Sequence, residues 1–136
     1  DAMVPLARYC TVKGRPLTEL LDSQTIRGIT ERTKNGGAEI VSLLKTGSAY
    51  YAPSSSVVAM VAAVLRDTRE VMPCSVYLQG SYGLRDVYCG VPVRLGKDGV
   101  QEIVELPLGP EEAALLCRSS QGVRDMVRAL GIVHAE

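Results

Sequence analysis

The sequence has a single histidine in 136 residues, His134, two positions from the end, and that scarcity excludes several kinds of chemistry at once. A Ser–His or Cys–His nucleophile pair has no internal base to draw on, and His134 falls in a tail expected to fray. The four cysteines, Cys10, Cys74, Cys89 and Cys117, form no C-x-x-C pair, so a zinc site lacks a ligand set. Their spacing is not that of a disulfide framework, and a chain that is 46% hydrophobic builds a core without staples. Reduced, mostly buried thiols are the consequence. Excess charge is missing too: 15 basic side chains balance 15 acidic ones, which leaves no positive field for phosphates or an anionic bilayer. Nucleic acid and membrane are therefore excluded as partners. The longest apolar runs, such as residues 57–65, are too short to span a bilayer, and no charged segment precedes an apolar one at the start. Neither G-x-G-x-x-G nor G-x-x-x-x-G-K-[ST] occurs, and Gly80-Ser81-Tyr82-Gly83 lacks the spacing of a nucleophile elbow, so it reads as a turn between strands.

What is present is hydrophobic periodicity. Residues 4–12 are rich in β-formers, Lys13-Gly14 is a turn signal, and Arg15-Pro16-Leu17 returns as a short second strand. Asp22 or Ser23 caps a helix over residues 24–44, in which Ile26, Ile29, Thr33, Gly37, Ile40 and Leu44 recur along one face. Gly36-Gly37 interrupts that helix, and two interior glycines imply either a bend or another backbone passing close by. Small residues from Thr46 onward break the pattern, and Pro53 opens a second helix, with Ser54, Ser55 and Ser56 as caps near its start. Its stripe is Val57, Val58, Val61, Val64 and Leu65, and a helix so poor in charge is expected to be covered on most sides.

Three strands follow, over residues 71–78, 87–95 and 100–106. In the second, Val87, Cys89, Val91, Val93 and Leu95 alternate with Tyr88, Gly90, Pro92 and Arg94, the period of a strand with one buried face. Pro92 favours an edge or a bulge there. Gly96-Lys97-Asp98-Gly99 is a hairpin connection, and Pro110 sits in the first turn of a last helix whose inner face is Ala113, Leu116, Cys117, Val123, Val127 and Leu130. No repeat or linker divides the chain. The reading is α+β: one domain over residues 1–136, with a mixed, mainly antiparallel sheet and helices packed on one side. Composition and periodicity go no further than a soluble domain that is part of a larger protein. A non-enzymatic oligomerisation module stays open beside an enzyme fragment.

Four segments, in order, carry a resemblance. Asp1-Ala2-Met3-Val4-Pro5 is similar to the end of a His-Gly-Asp-x-x-Val-Pro segment. Thr33-Lys34-Asn35-Gly36-Gly37-Ala38-Glu39-Ile40-Val41, followed by Leu44-Lys45-Thr46-Gly47-Ser48-Ala49-Tyr50-Tyr51-Ala52-Pro53, resembles a central helix and its loop. Pro73-Cys74-Ser75-Val76-Tyr77-Leu78 and Asp86-Val87-Tyr88 through Gly90-Val91-Pro92-Val93 resemble strands of the same family. That family is the lactate/malate dehydrogenase superfamily, on the side of malate dehydrogenases of the lactate dehydrogenase-like type, and the resemblance covers nearly the whole chain. It implies the substrate-side half of an NAD-dependent enzyme interconverting malate and oxaloacetate, cytoplasmic and homo-oligomeric. The dinucleotide-binding (Rossmann) half is absent from these residues. The resemblance further implies that the general acid/base histidine falls just before Asp1, with the substrate arginines and its aspartate partner earlier still, so that no catalytic residue lies in this chain. What it assigns here is a wall: Gly47, Ser48 and Ala49 bordering substrate and nicotinamide, and Pro53 near the nicotinamide face. The helices over residues 24–44 and 53–65 are, by the same resemblance, candidates for a dimer interface. A lactate or other 2-hydroxyacid dehydrogenase of the superfamily is the alternative, although Gly-Ser-Ala-Tyr-Tyr leans toward malate.

Overall fold

The structure is a computed structural model that describes residues 3–131. The expectation for His134 lies outside those residues. The chain gathers into two compact units, residues 1–53 and 54–136.

The first unit opens with a single 3-10 turn, Ala7–Tyr9, where a longer strand was expected. The hairpin itself is present but minimal: β1 (Thr11–Val12) pairs antiparallel with β2 (Arg15–Pro16). Its turn residues Lys13 and Gly14 both have positive φ, 51° and 80°, the type I′ geometry whose twist suits a two-residue hairpin. One turn of helix, α1 (Leu17–Leu20), leads to α2 (Ser23–Leu44). Asp22 is the N-cap: its Oδ1 accepts the backbone N–H groups of Gln24 at 2.8 Å and Thr25 at 3.0 Å, and its Oδ2 accepts the Thr25 hydroxyl at 2.6 Å. These bonds hold the Asp22 carboxyl below the usual carboxylate range, the Thr25 hydroxyl contributing most. Contrary to expectation, α2 runs unbroken through Gly36-Gly37. Outside the helix's own backbone, no atom lies within 4 Å of where a β-carbon would stand at either glycine.

The second unit holds the core. Helix α3 (Tyr51–Arg66) begins two residues before Pro53, so the serines expected as caps lie inside the helix. Proline is tolerated there because the N–H groups of a first turn have no intrahelical acceptor. A three-stranded antiparallel sheet follows in the order β3 (Glu70–Gln79), β4 (Arg85–Gly96), β5 (Gly99–Ile103). The buried set is Cys74, Val76 and Leu78 of β3 with Val87, Cys89, Val91, Val93 and Leu95 of β4, all on one face. Ala63 of α3 is buried against it, flanked by Met60 and Val64. Of the expected stripe of α3 only Val64 packs on the core; Val57, Val58, Val61 and Leu65 are exposed, and Met60 and Ala63 face the sheet beside Val64.

Pro92 is also corrected. It sits in β4, the central strand, and the reason it can is register. It faces Pro73 of β3, a position where neither residue needs to donate to the other. Its carbonyl accepts the Val104 N–H at 2.9 Å, just past the last residue of β5, so the missing N–H falls where β4–β5 pairing is already ending.

Helix α4 (Pro110–Ala129) starts at Gly109, whose N–H donates to the Glu112 carboxylate at 2.7 Å. Leu116 and Val123 pack on the core, and between them Ser120 is fully buried. Ala113, Cys117 and Leu130, expected on the inner face, are exposed. Cys74 and Cys89 are buried and Cys10 and Cys117 exposed, all four free. Among the described residues no helix is long and apolar enough to cross a membrane.

Candidate functional site

Between Leu44 and Tyr51 the chain leaves one helix and enters the next, and the conformation of the link follows from its residues. Lys45 closes α2 as a left-handed C-cap, φ 62°, donating its N–H to the Val41 carbonyl at 3.0 Å. Gly47 is left-handed again, φ +86°, a conformation that side chains rarely adopt. Three residues on, the Tyr50 N–H donates to the Ser48 carbonyl at 2.9 Å, a tight local turn. Tyr50 lies against Gly47: a β-carbon placed on that glycine would be 3.5 Å from the ring's Cε1. The Tyr51 ring packs on Tyr50, centroids 4.8 Å apart and tilted by 43°.

Of the four residues singled out from sequence, Gly47, Ser48 and Ala49 form this link, with Gly47 and Ser48 exposed and Ala49 half-buried. Pro53 is exposed in the first turn of α3. The two tyrosines were quoted in the sequence motif but given no role. Their signal was adjacency: paired aromatics directly after a run of small residues. From Thr46 to Pro53 there is no carboxylate, histidine or cysteine. The link therefore carries no group suited to abstract or deliver a proton at neutral pH.

A second exposed feature runs along α2. Ile29, Thr33, Gly36, Ile40 and Leu43 line a shallow groove, and across it Arg32 Nη2 pairs with Glu39 Oε1 at 2.8 Å, with Nε on Oε2 at 3.0 Å. The mutual bond raises the guanidinium pKa and lowers that of the carboxyl. Among the described residues no cluster of three or more metal-binding side chains exists. Burial pushes the thiols of Cys74 and Cys89 up, away from nucleophilic character.

Fold and site together define an α+β domain in which a short link of small residues and two packed tyrosines joins two helices. Residues 1–128 match the lactate/malate dehydrogenase alpha/beta C-terminal domain, and the chain belongs to that family. It is 53% identical over 130 residues to a malate dehydrogenase of Roseiflexus sp. (strain RS-1), covering 96% of this chain and 42% of the relative. The chain thus spans about two fifths of the length of the curated relatives it matches. Among solved structures it resembles malate dehydrogenase from Salinibacter ruber, at 44% identity and TM-score 0.88, over 96% of this chain and 45% of that one. It also resembles lactate dehydrogenase from Eimeria maxima, solved with NADH and oxamate, at 39% identity and TM-score 0.90, over 96% of this chain and 42% of that one. The α+β architecture expected from sequence, with an antiparallel sheet and its helices, is borne out.

Proposed function

We propose that the intact protein is an NAD-dependent malate dehydrogenase and that this chain, residues 1–136, is its C-terminal, substrate-side domain. One observation carries the reading: 53% identity to a curated malate dehydrogenase over 130 residues, 96% of this chain. Bound nicotinamide supplies the hydride in such enzymes. The small side chains of Gly47, Ser48 and Ala49, with Pro53 in the first turn of α3, fit a flat ring laid beside them. No glycine-rich phosphate turn exists in this chain, so it would contact the cofactor at the nicotinamide end alone, with the rest held by the part of the family's length that it does not span. The same part would supply the general acid/base histidine and the arginines that clamp the substrate carboxylates.

The link then acts as a wall of the pocket: it excludes water and limits the room for the group on the substrate's C2 carbon. Exposed apolar side chains on α3, Val57, Val58, Val61 and Leu65, and the groove on α2 support a homo-oligomeric, multidomain parent in which these faces are covered. The test is kinetic. The intact protein is expected to oxidise NADH with oxaloacetate at a kcat/KM well above that with pyruvate, and the isolated 136-residue chain to show no turnover. Pyruvate is the informative competitor because of the likeness to the Eimeria lactate dehydrogenase. Preference for pyruvate would replace malate by lactate in this reading, and turnover by the isolated chain would end it.

A further inference from the structure

The family reading assigns the wall of the pocket to small residues, yet small residues cannot hold themselves in place. Gly47 at φ +86° has the largest conformational freedom of any residue in the link, and a glycine ordered there costs more backbone entropy than any other residue type. Something must fix it. The link's two backbone hydrogen bonds described above lie at its ends, Lys45 to Val41 and Tyr50 to Ser48, and neither is made by Gly47. Beyond its chain neighbours, the described atom within 4 Å of where a β-carbon on Gly47 would stand is Cε1 of the Tyr50 ring, at 3.5 Å. That ring does not stand alone. Tyr51, the first residue of α3, packs against it at 4.8 Å, so the orientation of the Tyr50 ring is tied to the start of a helix.

We propose that Tyr50 is a positioning residue: the relay from α3 through Tyr51 and Tyr50 to Gly47 sets the path of Gly47-Ser48-Ala49 and with it the shape of the substrate wall. This rests on the dehydrogenase reading of the same link. Phenylalanine in place of Tyr50 keeps that ring contact. An aromatic side chain suits the task because it presents a broad, stiff surface with only two rotatable bonds. The glycine suits it because a side chain at φ +86° would be strained.

The experiment uses the intact protein with Tyr50→Ala and Tyr50→Phe, read in two ways. The first is amide hydrogen exchange of Gly47, Ser48 and Ala49, which needs no turnover. In Tyr50→Ala these amides exchange roughly tenfold faster while those in the middle of α2 do not change, and in Tyr50→Phe they keep the wild-type rate. The second is steady-state kinetics. Tyr50→Ala loses roughly ten- to a hundredfold in kcat/KM for the 2-oxo acid while the KM for NADH changes less than about threefold, and Tyr50→Phe recovers to within about twofold. Unchanged exchange in Tyr50→Ala overturns the proposal, as does faster exchange with kcat/KM intact, or a Tyr50→Phe variant as impaired as Tyr50→Ala. Wild-type protein that turns over neither oxaloacetate nor pyruvate sinks the dehydrogenase reading instead, and the exchange result alone then decides whether Tyr50 holds the link.

Discussion

Asp67 accepts the backbone N–H of Lys97 at 3.0 Å, tying the exit of α3 to the β4–β5 hairpin thirty residues later. Asp67 is itself left-handed, φ 48°, and its other oxygen takes Arg69 Nε and Nη2 at 3.2 Å each. The bond is possible because residue 96 is glycine. A β-carbon there would stand 2.6 Å from Asp67 Oδ1 and 2.5 Å from the Gln101 amide nitrogen. Gly96→Ala is therefore expected to destabilise the intact protein by about 1–3 kcal/mol, the usual range for forcing a methyl into filled space. Gly122→Ala, on α4 with nothing within 4 Å of its β-carbon position, is the control and should be neutral or slightly stabilising. Chemical denaturation of both variants checks the contrast, and equal stabilities would show that the hairpin gives way without cost.

The N-cap of α2 predicts a dependence on pH. The Thr25 hydroxyl and the Thr25 and Gln24 N–H groups bond the ionised form of Asp22 and depress its pKa below 3.8, the ordinary value. A depressed carboxylate contributes stability that is fully present above its unfolded value and is lost as pH falls through the folded one. Protection of the Gln24 and Thr25 amides is thus expected to hold from neutral pH down to about 4 and then to fall. Asp22→Asn keeps a capping oxygen and should flatten this acid limb, whereas Asp22→Ala should lower protection at every pH. Nuclear magnetic resonance exchange measured across that range separates the three. An acid limb persisting in Asp22→Asn would assign the titration to another group.

Elements whose pattern is local were legible in the sequence. The alternation in β4, the glycine-framed turn before β5 and the capped start of α2 each lie where the residue types put them, to within two residues. What escaped depended on neighbours distant in sequence. Pro92 reads as an edge or bulge residue until β5 is seen to stop opposite it, and the stripe of α3 reads as Val57, Val58, Val61, Val64 and Leu65 until the sheet keeps Val64 and adds Met60 and Ala63. Apolar residues ring α3 so evenly that periodicity could not choose a face. In the candidate site, the small residues were legible because glycine and proline punctuate a helix boundary. The Tyr50 contact was not, because it depends on a ring rotamer that no spacing encodes.

Ser120 illustrates the same limit and yields a third prediction. It is fully buried on α4 between Leu116 and Val123, and its hydroxyl donates to the Cys117 carbonyl at 2.8 Å, so the buried polar atom is satisfied within its own helix. What the sheet requires there is small volume more than a hydroxyl. Ser120→Ala is expected to lie within about 1 kcal/mol of wild type, since it removes one helix-internal bond. Ser120→Leu should cost roughly 1–3 kcal/mol by overpacking the space against β4. Thermal unfolding of the two variants distinguishes volume from polarity, and the opposite order would make the hydroxyl the decisive feature.

Tyr82 supplies the last prediction. Its phenol donates to the Val104 carbonyl at 3.0 Å and accepts the Leu106 N–H at 2.9 Å, while its own backbone N–H donates to the Glu105 carboxylate at 3.0 Å. Three bonds from one residue thus pin the stretch that leaves β5 before α4 begins, and they do so from a left-handed backbone at φ 56°. Tyr82→Phe keeps the ring in the core and the Glu105 contact but orphans the Val104 carbonyl and the Leu106 N–H. With both groups partly buried, the loss is expected at about 1–3 kcal/mol, more than a typical exposed hydrogen bond provides. Local consequences should exceed global ones. The Leu106 amide is expected to exchange faster by at least about tenfold, with the β3–β4 amides slowed or sped only in proportion to overall stability. If Leu106 and the centre of β4 instead change by the same factor, the phenol acts on the fold as a whole and not as a local pin.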